Sequence, residues 1–346
     1  MATVKLGDIA IEAKSSNKGD KTGIRIVGLE HLTPSSVTLS SWSEDTENTF
    51  TKEFSKGDVL FGRRRAYLKK AAVAPFDGIC SGDITVIRAI EDKVDPDLLP
   101  FIIQNDYLFD FAVGKSAGSL SPRVKWTNLK EFTIDLPSMP EQIKLAETLW
   151  SINETKNAYE DLINRTDELV KSQFIEMFYG KGYPVKTIGD VIDKKISRVG
   201  KVYEKTDPIQ YLDISSIDNA SKTVTGLTPY ILSDAPSRAQ YVLKQDDIMY
   251  STVRPNLQNI AINPYFDDNV VGSTGFCVLR CIGVTTGYMW GVINSAPFTE
   301  AMVNQASGVN YPAVNDKVVH AYEIPIPPES EQNAYEDLIK QSDKSK

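Results

Sequence analysis

The sequence is short of the residues from which most catalytic and metal sites are built. Its 346 residues include three cysteines, Cys80, Cys277 and Cys281, and two histidines, His31 and His320. No CxxC pair is formed, so a zinc site or a disulfide framework is not expected, and a reducing cytoplasm is the default compartment. No metal or cofactor site is expected. No apolar run approaches a membrane span and Met1–Ala10 lacks a signal-peptide pattern, so no membrane partner is expected. Nucleotide and nucleophile motifs fail as well. Gly114-Lys115-Ser116 resembles the end of a phosphate loop, but the glycine needed five positions earlier is Phe109. Asn263-Pro264-Tyr265-Phe266 lacks the second proline of an amino-methyltransferase motif and reads as a turn. Asp83 with Glu91 and Lys93 has the residue types of a nuclease triad at a spacing common by chance. Cys80 and Ser81 have no evident base.

Excess positive charge is also missing: the net charge is −8. Its distribution matters more than its sum. Residues 1–137 carry 18 Lys+Arg against 19 Asp+Glu, and residues 181–327 carry 13 against 14. Most of the excess lies in residues 138–180, with 4 against 8, and 328–346, with 3 against 5. A basic face on either large segment is therefore compatible with the acidic total.

What is present is a long helical signal. Ser138-Met139-Pro140-Glu141 reads as a capping box with proline in the first turn. Leu145, Leu149, Ile152, Tyr159, Ile163 and Val170 then recur at alternating four- and three-residue steps or their sum, flanked by Leu162 and Leu169. The stripe is wide enough to pack on a partner. Nothing interrupts it before Gly180-Lys181-Gly182-Tyr183-Pro184. The spacing predicts one helix over 138–179, a rod of roughly 60 Å, with a long amphipathic helix on one domain's surface as the plainer alternative.

On either side lie two segments that repeat each other. In the first, Val4–Ile9 reads as a docking segment, followed by polar loops to Phe54. Lys56-Gly57-Asp58 is a turn feeding Val59-Leu60-Phe61, which ends in Arg63-Arg64-Arg65. Ala71–Ala74 and Ile84–Ile87 are short strands, 97–113 has helical periodicity, and Leu129–Pro137 is a last strand. In the second, Val185–Val191 echoes the opening, and Gln245–Arg254 lies over Lys56–Arg65 at an offset of 189. Gly272–Arg280 parallels Cys80–Arg88. At an offset of 190, Gly118, Pro122, Val124, Pro137, Glu141 and Gln142 meet Gly308, Pro312, Val314, Pro327, Glu331 and Gln332. The expected organisation is a mixed α/β (α+β) chain: a globular domain over 1–137, a spacer helix over 138–180, a second domain over 181–327 and a second helix over 328–346.

Two divergent halves, each closed by a proline-bearing strand and a Glu-Gln helix start, resemble the specificity subunit of type I restriction-modification systems. Gly57–Arg64 (GDVLFGRR) and Asp246–Arg254 (DDIMYSTVR) are similar to the strand-loop segment of that family's target recognition domains. The resemblance implies two such domains held apart by antiparallel helices in a coiled coil, each reading one half of an interrupted target in double-stranded DNA. It implies two methyltransferase subunits on the helices, restriction subunits joining them, and no chemistry in the chain itself. Self-association through the helices is a further contact the stripe allows. A rod of roughly 60 Å spans at most about 18 base pairs, and unlike halves imply unlike half-sites. At its end the chain departs from the pattern. Residues 331–346 match only 141–156, which leaves a full-length helix pair open. The segment Asn157–Ile163 also recurs as Asn333–Ile339, out of register with the rest.

Candidate DNA contacts in the first half are Arg63, Arg64, Arg65, Tyr67, Lys69 and Lys70, the densest basic cluster there, with Lys115 and Arg123 nearby. Arginine bonds guanine bidentately and lysine suits phosphate. The equivalent stretch in the second half offers Arg254, Asn256, Gln258 and Asn259, and the glycine loop after it offers Asn310. Asparagine and glutamine discriminate adenine edges. The plain alternative for each is a solvated loop. At the level of function, the competing expectations are a protein-binding scaffold with a coiled-coil arm and a DNA-processing enzyme.

Overall fold

The structure is a computed structural model, and it describes residues 2–44, 47–308 and 311–344. The chain divides into two compact units, residues 1–159 and 160–346, and the division falls inside one unbroken helix, Met139–Phe178. That helix begins at the expected cap: the Glu141 carboxylate accepts both the Ser138 N–H, at 2.9 Å, and its hydroxyl, at 2.8 Å. The bond from the Ser138 N–H to Glu141 is the glutamate half of a capping box. Past the helix, Gly180 adopts a left-handed φ of 70°.

In the first unit Ala2–Lys5 pairs antiparallel with Thr133–Leu136, closing the start of the chain onto the strand that leads into the helix. The central sheet runs Ala10–Glu12, Ile84–Ala89, Val59–Gly62, Ala71–Val73, all antiparallel. A smaller sheet holds Gly78–Cys80 between Arg25–Val27, parallel, and Lys52–Phe54, antiparallel. Val59-Leu60-Phe61 is buried on both faces, and the pleat sorts it. Val59 and Phe61 join Ile87, Leu99, Ile103 and Phe109 on the helical side, while Leu60 joins Val27, Leu39, Phe54 and Val86 on the other.

The second unit repeats this plan. Val185–Thr187 pairs with Glu323–Pro325, and Ile248–Ser251 lies between Ile260–Ile262 and Phe276–Leu279. A four-stranded sheet has the order Thr228–Ile231, Pro208–Leu212, Val270–Ser273, Ala239–Val242, with Pro208–Leu212 parallel to Val270–Ser273 as Arg25–Val27 is to Gly78–Cys80, and Ile217–Asp218 pairs with Thr223–Val224 in a small hairpin. Ile248 and Tyr250 face Tyr288 and Phe298, while Met249 faces Leu212 and Leu243.

Both units close through a buried glutamine. Gln142 accepts the Asp95 N–H at 2.9 Å and donates to the Pro137 carbonyl at 3.0 Å. Gln332 accepts the Thr285 N–H at 2.9 Å and donates to the Pro327 carbonyl at 2.9 Å. The repeated Glu-Gln of the sequence is therefore a clasp tying a helix start to the strand before it and to the loop it lands on. Ala146 and Trp150 continue the first closure, with the Trp150 indole donating to Asp97 O. The terminal helix, Glu329–Lys344, continues the second, packing on the helix Thr286–Asn294. At Gly291 a Cβ would stand 2.4 Å from Phe174 and 2.7 Å from Tyr335, so glycine is what admits both rings. Phe174 and Phe178, at the end of the long helix, are core residues of the second unit.

Two expected elements differ. The segment 97–113 is two helices, Leu99–Ile103 and Asp106–Gly114, because the Asn105 side chain accepts the Tyr107 N–H and caps a new helix. Of Leu129–Pro137 only Thr133–Leu136 is strand, and Trp126–Leu129 is a helical turn.

Candidate nucleic-acid interface

In both units the strand after the Lys-Gly-Asp or Gln-Asp-Asp turn ends in the same backbone device. After Val59–Gly62, Arg65 takes a left-handed conformation (φ 54°, ψ 56°), Ala66–Leu68 makes one 3-10 turn, and Lys69 is left-handed again (φ 50°, ψ 44°). After Ile248–Ser251, Arg254 (φ 52°, ψ 64°), Pro255–Leu257 and Gln258 (φ 49°, ψ 44°) repeat it. A glycine loop is hooked onto each turn. Arg65 N–H donates to Pro122 O at 2.8 Å and Arg254 N–H to Pro312 O at 2.7 Å. Ala117 and Arg123 exchange both backbone bonds, as do Ser307 and Ala313, and Gly118 (φ 115°) and Gly308 (φ 111°) supply the required turn.

The side chains on this shared frame differ. In the first unit Asp83 organises the cations. Arg123 donates to its carboxylate at 2.6 and 3.2 Å, and Arg64 lies 3.5 Å from it while donating to Ser121 Oγ at 3.0 Å. These contacts, Arg123's hydrogen bond first, hold the Asp83 carboxyl below its ordinary range. The Lys69 ammonium pairs with Asp106 at 2.7 Å, and Lys70 donates to Leu29 O at 2.8 Å. Arg63 is half-buried, and its N–H donates to Asp83 O at 2.9 Å. Arg65 and Tyr67 are exposed, as is Lys115, whose ammonium lies 5.7 Å from the Phe111 ring.

In the second unit the Arg254 guanidinium stacks on Tyr311 at 4.6 Å. Gln258 donates to Thr299 Oγ1 at 2.6 Å and accepts from Lys222 at 3.2 Å. Asn256 is exposed and Asn259 half-buried. Asn310 lies outside the described residues. The predicted contacts thus divide into groups held by neighbours (Arg64, Arg123, Lys69, Lys70, Gln258, and Arg254 through Tyr311) and groups exposed at the turn or loop (Arg65, Tyr67, Lys115, Asn256).

Sequence reasoning missed three features. Asp83, which has the residue type of a nuclease ligand, is an arginine-bound carboxylate, and among the described residues no group of three or more His, Cys, Asp or Glu side chains could hold a metal. Arg25 lies against both Trp42, at 5.1 Å, and Phe76, at 4.6 Å, two rings themselves in edge contact at 5.1 Å, a cluster across distant loops with no local signal. His320 lies 3.5 Å from the Cys277 thiol. Burial first, then Asp316, pushes that thiol well above its usual value, the wrong direction for a nucleophile. Beside Asp83 opens a cleft of about 590 Å³ lined by Glu12, Lys14, Ser16, Thr51 and Lys52.

Along the long helix the predicted stripe is mostly bare. Leu145, Ile152, Tyr159, Leu162 and Leu169 are exposed, and Ile163 is half-buried. Leu149 packs on the first unit's core and Val170 on the second's. Among the described residues no helix is long and apolar enough to cross a membrane.

A family model for the type I restriction modification DNA specificity domain matches residues 1–166. Residues 1–166 are therefore similar to the type I restriction-modification specificity family. The specificity subunit of the type I restriction enzyme EcoDI of Escherichia coli is 26% identical over 165 residues, 44% of this chain and 36% of that relative's length. The fold agrees over a wider range. A type I restriction-modification S subunit from M. genitalium superposes over 99% of this chain and 89% of its own with a TM-score of 0.55, at 14% identity. A structure described for assembly and conformational transition of the type I R-M system covers 98% of this chain and 90% of its own, at 19% identity and a TM-score of 0.48. The specificity family is thus matched in sequence over the first half. The second half shares that half's backbone plan and its turn.

Proposed function

We propose that this chain is the DNA-specificity subunit of a type I restriction-modification complex, a non-catalytic cytoplasmic protein that reads an asymmetric, interrupted sequence in double-stranded DNA. Each unit reads one half-site, and partner methyltransferase subunits, two per complex, and restriction subunits supply the chemistry. The observation that carries this reading is the same strand, left-handed turn and glycine loop in both units, carrying cations in one and amides in the other. A repeated frame with unlike side chains suits two unlike half-sites.

Base-resolved methylation mapping tests it, in cells expressing this chain with its methyltransferase subunit and in cells lacking the chain. A chain-dependent adenine mark in an asymmetric interrupted motif is expected. A palindromic motif would mean that one unit does all the reading in a self-associated pair. Absence of both a mark and a copurifying methyltransferase would overturn the reading in favour of a protein scaffold. For the partner surface, Ile152→Asp with Leu162→Asp is expected to abolish copurification with the methyltransferase subunit. Both positions are exposed, whereas Leu149 belongs partly to a core and would confound folding with docking.

A further inference from the structure

The described residues include seven non-glycine residues with positive φ, and four of them are Arg65, Lys69, Arg254 and Gln258. A left-handed backbone carries a steric cost for any residue with a Cβ, least for asparagine and aspartate and absent for glycine. Another repeated left-handed station shows the usual solution: residue 57 is glycine and its counterpart 246 is aspartate. The reading turns do not use that solution. Both enter on arginine, which gives the backbone nothing that glycine would not give more cheaply. Strain kept at the same place in two copies points to a use for the side chain.

The rest of the turn separates three roles. Ala66 and Pro255 are buried, and Leu68 and Leu257 are each 40% exposed. The exit residues differ but do one job. Lys69 is tied to Asp106 in the helix Asp106–Gly114, and Gln258 to Thr299 in the helix Ala296–Gln305. They position the turn. The apex residues, Tyr67 and Asn256, are exposed and unlike. Entry residues identical in both units cannot tell two different half-sites apart, whereas unlike apex residues can.

We infer that Arg65 and Arg254 are phosphate anchors that grip the DNA backbone irrespective of sequence, and that Tyr67 and Asn256 at the apices discriminate bases. This rests on the specificity reading above. A guanidinium makes charge-assisted bonds to phosphate oxygens and releases counterions, so its contribution is independent of sequence and sensitive to salt.

The test uses the full chain assembled with its partner subunits. Arg65→Asn and Arg254→Asn remove the charge with a residue that tolerates the left-handed backbone. Each is expected to weaken binding by roughly tenfold or more on cognate and unrelated DNA alike. The slope of log K against log salt should fall by about one per arginine, with the methylated motif unchanged. Arg65→Lys and Arg254→Lys should keep the slope, which separates lost charge from lost folding. Tyr67→Asn and Asn256→Ala should instead alter or relax one half-site of the motif. A motif changed by the arginine variants, or unchanged by both apex variants, would overturn the division of roles. Wild-type binding matched by both arginine-to-asparagine variants would overturn the anchors alone. No chain-dependent DNA binding by the wild-type complex would overturn the specificity reading, and this inference with it.

Discussion

The two units share a backbone and differ in what they hang on it. Around the first turn, arginines and lysines gather about one carboxylate, Asp83; around the second, amides and an aromatic ring take their place. The residue matching Asp83 is Gly275: Arg63 N–H donates to Asp83 O where Thr252 N–H donates to Gly275 O. The ion pairs under each sheet also match in partners but not in depth. Arg88 binds Asp58 and Arg280 binds Asp247, each at 2.7 Å, with Arg88 43% exposed and Arg280 16%. Geometry has thus been kept while electrostatic environment has moved. The proposed reading of two unlike half-sites by one chain calls for that arrangement: a frame that need not change and a surface that must.

The sharpest way to break the comparison is at the turns. Arg63→Ala/Arg64→Ala/Arg65→Ala should cost the assembled complex roughly a hundredfold in DNA affinity and lower the salt slope by more than the value of about one expected for Arg65 alone, since Arg63 and Arg64 add to the positive field around the turn. Arg254→Ala alone should cost about tenfold. Salt-dependent filter binding or fluorescence anisotropy would read both, and equal losses would mean the charge asymmetry has no role. Next come the ion pairs. Asp247→Ala leaves a largely buried guanidinium uncompensated and should destabilise the second unit by about 3–5 kcal/mol. Asp58→Ala leaves one that water reaches and should cost the first unit only about 1–2 kcal/mol. Denaturant melts followed by hydrogen exchange in each unit would resolve the two.

The glutamine clasps should behave alike. Gln142→Ala and Gln332→Ala each leave a buried N–H and carbonyl unpaired, at about 1–3 kcal/mol in their own unit. A large difference would show that the closures are not equivalent. Smallest is Asp83→Asn, expected to cost the first unit about 0.5–1 kcal/mol at neutral pH. Because the folded carboxyl is held low by Arg123, wild type has this stability above the ordinary carboxylate range and loses it as pH falls through the lowered value. The gap between wild type and variant should therefore close in acid, and chemical melts between pH 7 and pH 3 would show it. The second unit, lacking the carboxylate, should show no such component at this station.

Much of this architecture could be read before any coordinates. The Ser138–Glu141 start and the gap-free stripe state a long helix in local terms, since helical caps and periodicity act within a few residues. The offset of 190 was enough to align turns, glycine loops and closures, because a duplicated frame repeats the residues that its backbone demands. Gly118 and Gly308 are such residues, fixed by positive φ, and Gln142 and Gln332 are others, fixed by two backbone partners each. The class of fold followed from them.

The candidate interface was legible only as a list of residue types. Asp83 captures Arg123 across 40 positions and Gln258 reaches Thr299 across 41, so which cations face outward depends on long-range contacts that no local pattern encodes. The break at Asn105 was missed for a related reason: the apolar period runs through it, and only a side chain folding back on Tyr107 N–H decides that a new helix begins. Periodicity and repetition are properties of neighbouring residues and can be counted along the chain. The partner of a buried charge, and the direction in which an arginine at a strained turn points, are set by distant segments meeting in space.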